Sequence, residues 1–384
     1  MVANPRLRTT AAWPTLAFAA PGRRETAMPM PIRLTFLCAL LVALPIAVYS
    51  GDIPRVPLGH DEIRYLNSIP KNNPLTQTKI ALGKLLFFDK RLSRDGSIAC
   101  GSCHQPHRAF TDGRVLPTGI DGQTPRRNVP TLINRAYGTI HFYDGRAASL
   151  EEQALIPIQS PTEMGNTLEH VVATLSVISG YRTHFKAAFG DSTITPDRIA
   201  KALAAFERTL ISGESPYDLF EYGGPKGSMS ASAIRGLRLF RTKARCTLCH
   251  MGFNYTDEDF HNIGTGWDRA DLSAYEKTGN LKDIKGIDPG RYTQTKKPEH
   301  FGAMKTPTLR EIARTAPYMH DGSFKTLQEI IEFYDKGGTP NPFLDELITP
   351  LNLTDAEKQD LIAFLKALNG INWLHIEPPF RFPK

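Results

Sequence analysis

The chain has 384 residues, 41% of them apolar and 22% charged, with 30 Gly and 29 Pro. That is the composition of folded globular domains with room for more than one core, and it excludes a disordered chain or a multi-spanning membrane protein. Its +7 formal charge lies mostly at the front. Residues 1–50 hold five Arg against Glu25, which leaves 41 basic and 38 acidic side chains beyond them, interspersed and without a Lys/Arg tract, so nucleic acid is not an expected partner.

The first element in chain order has the pattern of an export signal. Leu34 to Ser50 carry no charge, Arg33 precedes them, and small residues around Ala47–Gly51 offer a cleavage site. Met28 or Met30 is then a possible start. Seventeen residues interrupted by Pro45 are marginal for crossing a bilayer, although an uncleaved anchor is the alternative. Nothing later is apolar enough to span, so the mature chain is expected outside the cytoplasm, without stable membrane insertion.

Cys38 would leave with this segment. The other four cysteines form two pairs, Cys100-Gly-Ser-Cys103-His104 and Cys246-Thr-Leu-Cys249-His250. Each is the C-x-x-C-H pattern of covalent c-type haem attachment. Cysteines at i and i+3 share one face of a helical turn and can both form thioethers, while His at i+4 reaches the iron from the same face. A zinc site split by 142 residues, or a pair of redox disulfides, leaves both histidines unexplained. Two covalently bound haem c groups are expected.

The sequence around these sites is duplicated. IALGKLLFFDKRLSRDGSIACGSCH and AIRGLRLFRTKARCTLCH both run a short amphipathic helix with a Gly and a Leu-Phe pair into a basic stretch and the attachment site. Each half closes with a capped helix. Thr195-Pro196-Asp197 precedes Ile199, Leu203, Phe206 and Leu210, and the Thr354–Glu357 capping box precedes Leu361, Phe364, Leu365 and Leu368. The expected architecture is mainly α, with two cytochrome c-like helical domains, long loops and little strand. After a signal segment at 1–50, the domains are 51–224 and 225–384, divided in the Gly-rich stretch 222–227. The Gly/Pro-rich tracts 112–130 and 251–307 are expected as long loops packed over the haems.

With these motifs stand Asp144-Gly145-Arg146, Glu163-Met164 and Pro317-Tyr318-Met319-His320-Asp321-Gly322. Together they resemble the bacterial di-haem cytochrome c peroxidase and MauG family over about residues 75–370. The resemblance implies a periplasmic oxidoreductase whose N-terminal haem reacts with hydrogen peroxide and whose C-terminal haem passes or stores electrons. Within the family, the sequence is closer to the MauG-like branch, which oxidises a protein substrate.

Two positions carry that choice. The family's peroxidases that need pre-reduction place a blocking His about where Ile120 stands here, and Ile cannot ligate iron. His107 is too near His104 to reach round, and His141 is the remaining candidate to block. Fourteen residues after His320, where peroxidases of the family place a Met ligand, stands Tyr334. A phenolate favours ferric and higher states, whereas a thioether favours ferrous iron. Met304 and Met319 are the alternative ligands.

The resemblance also implies roles for Glu163 as the acid–base group, Gln153 beside it and Pro157 lining the pocket, with a desolvated carboxyl suited to proton shuttling. It implies a calcium ion held by Asn128, Thr315 and Pro317, oxygen ligands of the kind calcium takes. One departure stands out: the family's inter-haem Trp is here Tyr143, and Trp13, Trp267 and Trp373 are not near it in sequence. The expected redox partner is a protein substrate. The alternatives are a detoxifying peroxidase fed by a small cytochrome or cupredoxin, and an electron carrier without peroxide chemistry.

Overall fold

The computed structural model describes residues 55–384, and the expected signal segment lies outside them. The described chain is mainly α-helical. Its helices are α1 (Glu62–Asn67), α2 (Gln77–Phe88), α3 (Cys100–Cys103), α4 (Leu150–Gln159), α5 (Leu168–Ser176), α6 (Ser179–Phe189), α7 (Pro196–Glu207), α8 (Pro216–Glu221), α9 (Ala231–Arg241), α10 (Tyr275–Thr278), α11 (Tyr292–Thr295), α12 (Leu327–Asp335) and α13 (Asp355–Lys366). Among the described residues, β1 (Phe260–His261) and β2 (Met304–Lys305) form the one sheet, antiparallel, with Phe260 opposite Lys305.

The two closing helices start at their expected caps. Thr195 accepts the Arg198 N–H at the start of α7, and Thr354 with Glu357 forms a reciprocal capping box on α13. They end earlier than the apolar spacing extends, at Glu207 and Lys366. Leu210 and Leu368 are fully buried in the chain that follows. Apolar spacing records burial, whereas a helix stops where its hydrogen-bond ladder stops.

The duplication in sequence is a duplication in packing. α2 crosses α7 and α9 crosses α13, each at its repeated glycine. A Cβ on Gly83 would lie 1.9 Å from the Ala202 carbonyl oxygen, and one on Gly236 would lie 1.9 Å from that of Asp360. In each case a Phe one turn further along the partner helix, Phe206 or Phe364, closes the crossing. Only glycine lets two helix backbones touch in this way.

A second repeated device joins the halves. Residues 141–147 and 318–324 form matching loops, closed by the bridges His141 to Ala147 and Tyr318 to Phe324. Phe142 and Met319 both adopt left-handed backbone (φ 69 and 70), as do Gly145 and Gly322 (φ 66 and 67). The loops are held reciprocally: the Lys305 N–H donates to the Tyr143 carbonyl at 2.8 Å and the Asn128 N–H to the His320 carbonyl at 2.7 Å. Tyr143 and His320 are therefore counterparts, and their rings meet edge-on, 6.4 Å apart.

Two large hydrophobic cores result, beside two smaller clusters around Tyr65 and around Trp267. The first gathers Leu86, Phe87, Phe110 and Phe206, the second Leu237, Phe240, Ile331 and Phe364. Neither is confined to one stretch of chain, since the second takes Tyr217 from α8 and the first takes Trp373 and Ile376 from the C-terminal stretch. Trp373 packs edge-on against Phe110, and the last residues bind α6, the Gly180 N–H donating to the Lys384 carbonyl at 2.9 Å.

Candidate functional site

A cavity of about 1240 Å³ opens between the two attachment sites and is lined by Cys100, Cys103 and His104 from one half and by Cys246, Cys249 and His250 from the other. It exceeds the ~300–1,000 Å³ typical of a pocket for one small molecule. At the first site the cysteines span α3, and the His104 N–H donates to the Cys100 carbonyl at 2.9 Å. At the second the turn is a tighter 3-10 one over Cys246–Leu248, with the His250 N–H on the Cys246 carbonyl at 2.8 Å.

Both histidines are oriented alike. His104 Nδ1 donates to the Phe110 carbonyl at 2.9 Å and His250 Nδ1 to that of Tyr255 at 3.0 Å, which commits each outer nitrogen and leaves Nε2 for iron. Burial lowers both pKa values, keeping the rings in the neutral form that ligates. All four thiols are unpaired. These residues fit two covalent haems.

The wall near the first site is shaped by a proline. α4 begins at the Ser149 cap, and Pro157 sits in its last turns. The chain then doubles back, with the Glu163 N–H on the Ser160 carbonyl and the Met164 N–H on the Pro157 carbonyl. Gln153, Pro157 and Glu163 thus come onto one stretch of cavity wall, with Arg146. Burial pushes the Glu163 carboxyl above its usual range, and Arg146 partly offsets this. Glu163 also acts electrostatically on both Cys100 and Cys103, which sets it beside the first attachment site. Gln153 Oε1 is buried and has no protein partner.

Ile120 is fully buried but is not on the cavity wall. It packs on Gly165 while its N–H donates to the Glu163 carbonyl at 2.8 Å. It therefore stands behind Glu163, a placement that a residue count could not give. His107 is exposed. His141 lines the cavity among Arg135, Glu258 and Lys305, groups other than those around Glu163, and burial lowers its pKa to about 3.

Tyr143 lines the cavity at the meeting of the two loops, its hydroxyl pKa raised by burial. Arg127 fixes this junction, gripping Asp288 with two hydrogen bonds of 2.8 and 2.9 Å and Asp144 at 2.8 Å. Tyr334, on α12, lines the cavity as well. Burial raises its hydroxyl pKa, and Cys246 and Cys249 raise it further, so it stands beside the second attachment site. Met304 and Met319 are on the same wall.

Asn128, Thr315 and Pro317 also share this wall. The Asn128 side-chain nitrogen donates to the Arg114 and Val115 carbonyls at 2.7 and 3.2 Å, which directs its amide oxygen elsewhere, as a calcium ligand requires. Cys249, Asp257 and His261 also converge. That group is otherwise engaged, since Cys249 belongs to an attachment motif and His261 is held by Asp345 at 2.5 Å and Asp257 at 3.0 Å.

Sequence reasoning missed Glu207. It lies on the buried stripe of α7, one turn after Leu203, reaches the cavity wall near Cys100, and leaves Oε2 without a partner. A carboxylate on an otherwise apolar stripe was the signal. Burial raises its pKa from 4.5 to about 8. A raised folded-state value means that its favourable contribution is complete below the unfolded value and is lost as pH rises through about 8. Thermal melts of Glu207→Gln and the parent between pH 4 and 9 should diverge in that window, with the variant the more stable at the alkaline end. Parallel curves would mean that Glu207 titrates at the same pH folded and unfolded.

The model of the di-haem cytochrome c peroxidase family matches residues 77–226. The methylamine utilization protein MauG of Methylorubrum extorquens is 40% identical over 302 residues, covering 78% of this chain and 81% of that protein. The cytochrome-c peroxidase IdrP1 of Pseudomonas sp. (strain SCT) is 36% identical over 364 residues, with coverage of 88% and 92%. Among solved structures, a MauG-like protein associated with microbial copper homeostasis superposes with a TM-score of 0.74 at 31% identity, covering 87% of this chain and all of that one. The chain belongs to the di-haem cytochrome c peroxidase and MauG family. It is an oxidoreductase acting on peroxide, and its class carries two haem c groups.

Proposed function

We propose that this is a periplasmic enzyme that takes up hydrogen peroxide at the His104 haem and oxidises a side chain of a protein partner through a second haem ligated by His250 and Tyr334. The observation that carries this reading is the buried Tyr334 hydroxyl beside Cys246 and Cys249. No helix among the described residues is long and apolar enough to cross a membrane. Held through Cys100, Cys103, Cys246 and Cys249, the haems supply redox-active iron for the two-electron reduction of peroxide.

The protein's part is to place protons and exclude water. Glu163 takes the proton from the near peroxide oxygen and gives it to the far one, which leaves as water, and its raised pKa suits both transfers. Gln153 offers the neighbouring hydrogen bond, and Pro157 occupies space that water would fill. Tyr143, on the cavity wall where the two loops meet, would carry electrons between the two haems. A tyrosine loses its proton on oxidation, so this transfer is tied to proton movement. Asn128, Thr315 and Pro317 would hold a calcium ion at the junction. The working units are residues 51–224 for peroxide and 225–384 for electron transfer.

The test is one equivalent of peroxide added to the purified diferric protein without reductant, with the haem absorbance followed in a stopped-flow cell. A spectral change completed within seconds is the expected outcome. No change until one haem is reduced would sink the reading and favour a detoxifying peroxidase fed by a small cytochrome or cupredoxin. That second reading draws on the likeness to IdrP1, which extends over 92% of that peroxidase.

A further inference from the structure

We propose that Tyr255, Tyr217 and Tyr222 form a relay that carries oxidising equivalents from the His250 side of the second haem to the protein surface. The relay rests on the reading above that the second haem is oxidised at the expense of peroxide.

The chain of contacts is continuous. His250 Nδ1 donates to the Tyr255 carbonyl at 3.0 Å. The Tyr255 ring meets that of Tyr217 at 5.5 Å between centroids, and Tyr217 meets Tyr222 at 6.3 Å, both edge-on. These are the separations of aromatic rings in direct contact. Exposure changes along the way: Tyr255 and Tyr217 are 4% exposed and Tyr222 is 47% exposed. A second cavity of about 280 Å³ follows the same line from His250 outward, walled by all three tyrosines with Arg241 and Met251.

The tyrosines are held firmly where they are. Tyr217 lies in α8, whose start is closed by the reciprocal Ser215–Asp218 capping box, and its N–H donates to the Ala367 carbonyl at 3.0 Å. Arg310, fully buried and paired with Asp218 at 2.7 Å, stacks over Tyr217 and Tyr255. Because that pair is neutral as a unit, it fixes the rings without placing a net charge against them.

Protons explain the direction. A phenol loses its O–H proton when it loses an electron. The Tyr255 hydroxyl has no partner beyond Tyr217, and that of Tyr217 accepts from Arg241 at 3.3 Å, so neither has an acceptor outside the chain of tyrosines. Tyr222 faces water, which takes its proton. The radical therefore settles on Tyr222. The balance closes over two passes of the relay in one copy: the first Tyr222 phenoxyl takes a hydrogen atom from Tyr222 of a second copy, and the second pass regenerates it, so two Tyr222 phenols give up two electrons and two protons and one hydrogen peroxide becomes two waters. The two phenoxyl radicals then couple through one carbon–carbon bond to dityrosine.

The experiment treats the diferric holoprotein with peroxide in the presence of a nitroso spin trap, and without it, and maps adducts and cross-links by peptide mass spectrometry. The expected result is trap on Tyr222 and a Tyr222–Tyr222 cross-linked dimer, both lost in Tyr222→Phe. In Tyr217→Phe and Tyr255→Phe, which keep the rings, the Tyr222 adduct falls to background while haem content measured optically matches the parent. No adduct at Tyr222 in the parent, or an undiminished adduct in both of those variants, overturns the relay. The ligand of the second haem is read from the optical spectrum of the same samples, so failure of the Tyr334 reading is seen separately from failure of the relay.

Discussion

Glu163→Gln should lower the rate of reaction with peroxide by about 10²–10⁴-fold, the usual range for losing a positioned acid–base group. The variant keeps the shape and loses the proton-carrying oxygen, so its haem content and resting spectrum should match the parent. The pH profile is the sharper readout. Glu163 must be ionised to take the first proton, and burial has raised its pKa. The parent rate should therefore fall, as pH drops, at a midpoint above the usual carboxylate range, and the variant profile should lack that limb. A variant that still reacts within about threefold of the parent would show that another group moves the proton, and Glu207, on the same wall, is the first to test.

The second large effect concerns the second haem. Tyr334→Met should raise its midpoint potential by on the order of 100 mV, since axial ligands move haem potentials across ≈ 0.8 V and a thioether favours the reduced state. Spectroelectrochemical titration of parent and variant gives the difference directly. With the higher potential the second haem should accept electrons from a donor more readily, and reaction of the fully oxidised protein with peroxide should weaken. An unchanged potential would mean that Tyr334 is not the ligand, leaving Met304 and Met319, both on the cavity wall, as the candidates.

What could be read from the sequence was whatever covalent or capping chemistry ties to fixed spacing. The C-x-x-C-H pairs and the Thr195 and Thr354 caps each act within a turn or two of chain, and the structure has them in place. Contacts across the repeat were not legible. Nothing in the string His141-Phe142-Tyr143 shows that Tyr143 faces His320, because that meeting depends on two loops from different halves sharing one backbone shape. Ile120 illustrates the same limit: its inability to ligate iron was legible, but its place behind Glu163 follows from a backbone hydrogen bond between distant segments. Glu207 was overlooked because its spacing is that of a core residue.

The return of the C-terminal stretch to the first core has a mechanical meaning. The chain leaves the first core after Leu210, joins the second at Tyr217, and returns after α13, where the Gly213 N–H donates to Asn372 at 3.0 Å and Trp373 inserts beside Phe110. Two crossings act as two struts, where a single linker would be a hinge. The separation between the attachment turns is therefore braced on both sides. For the electron exchange proposed between them, the spacing is then set by two connections, so bending at one alone would change it little.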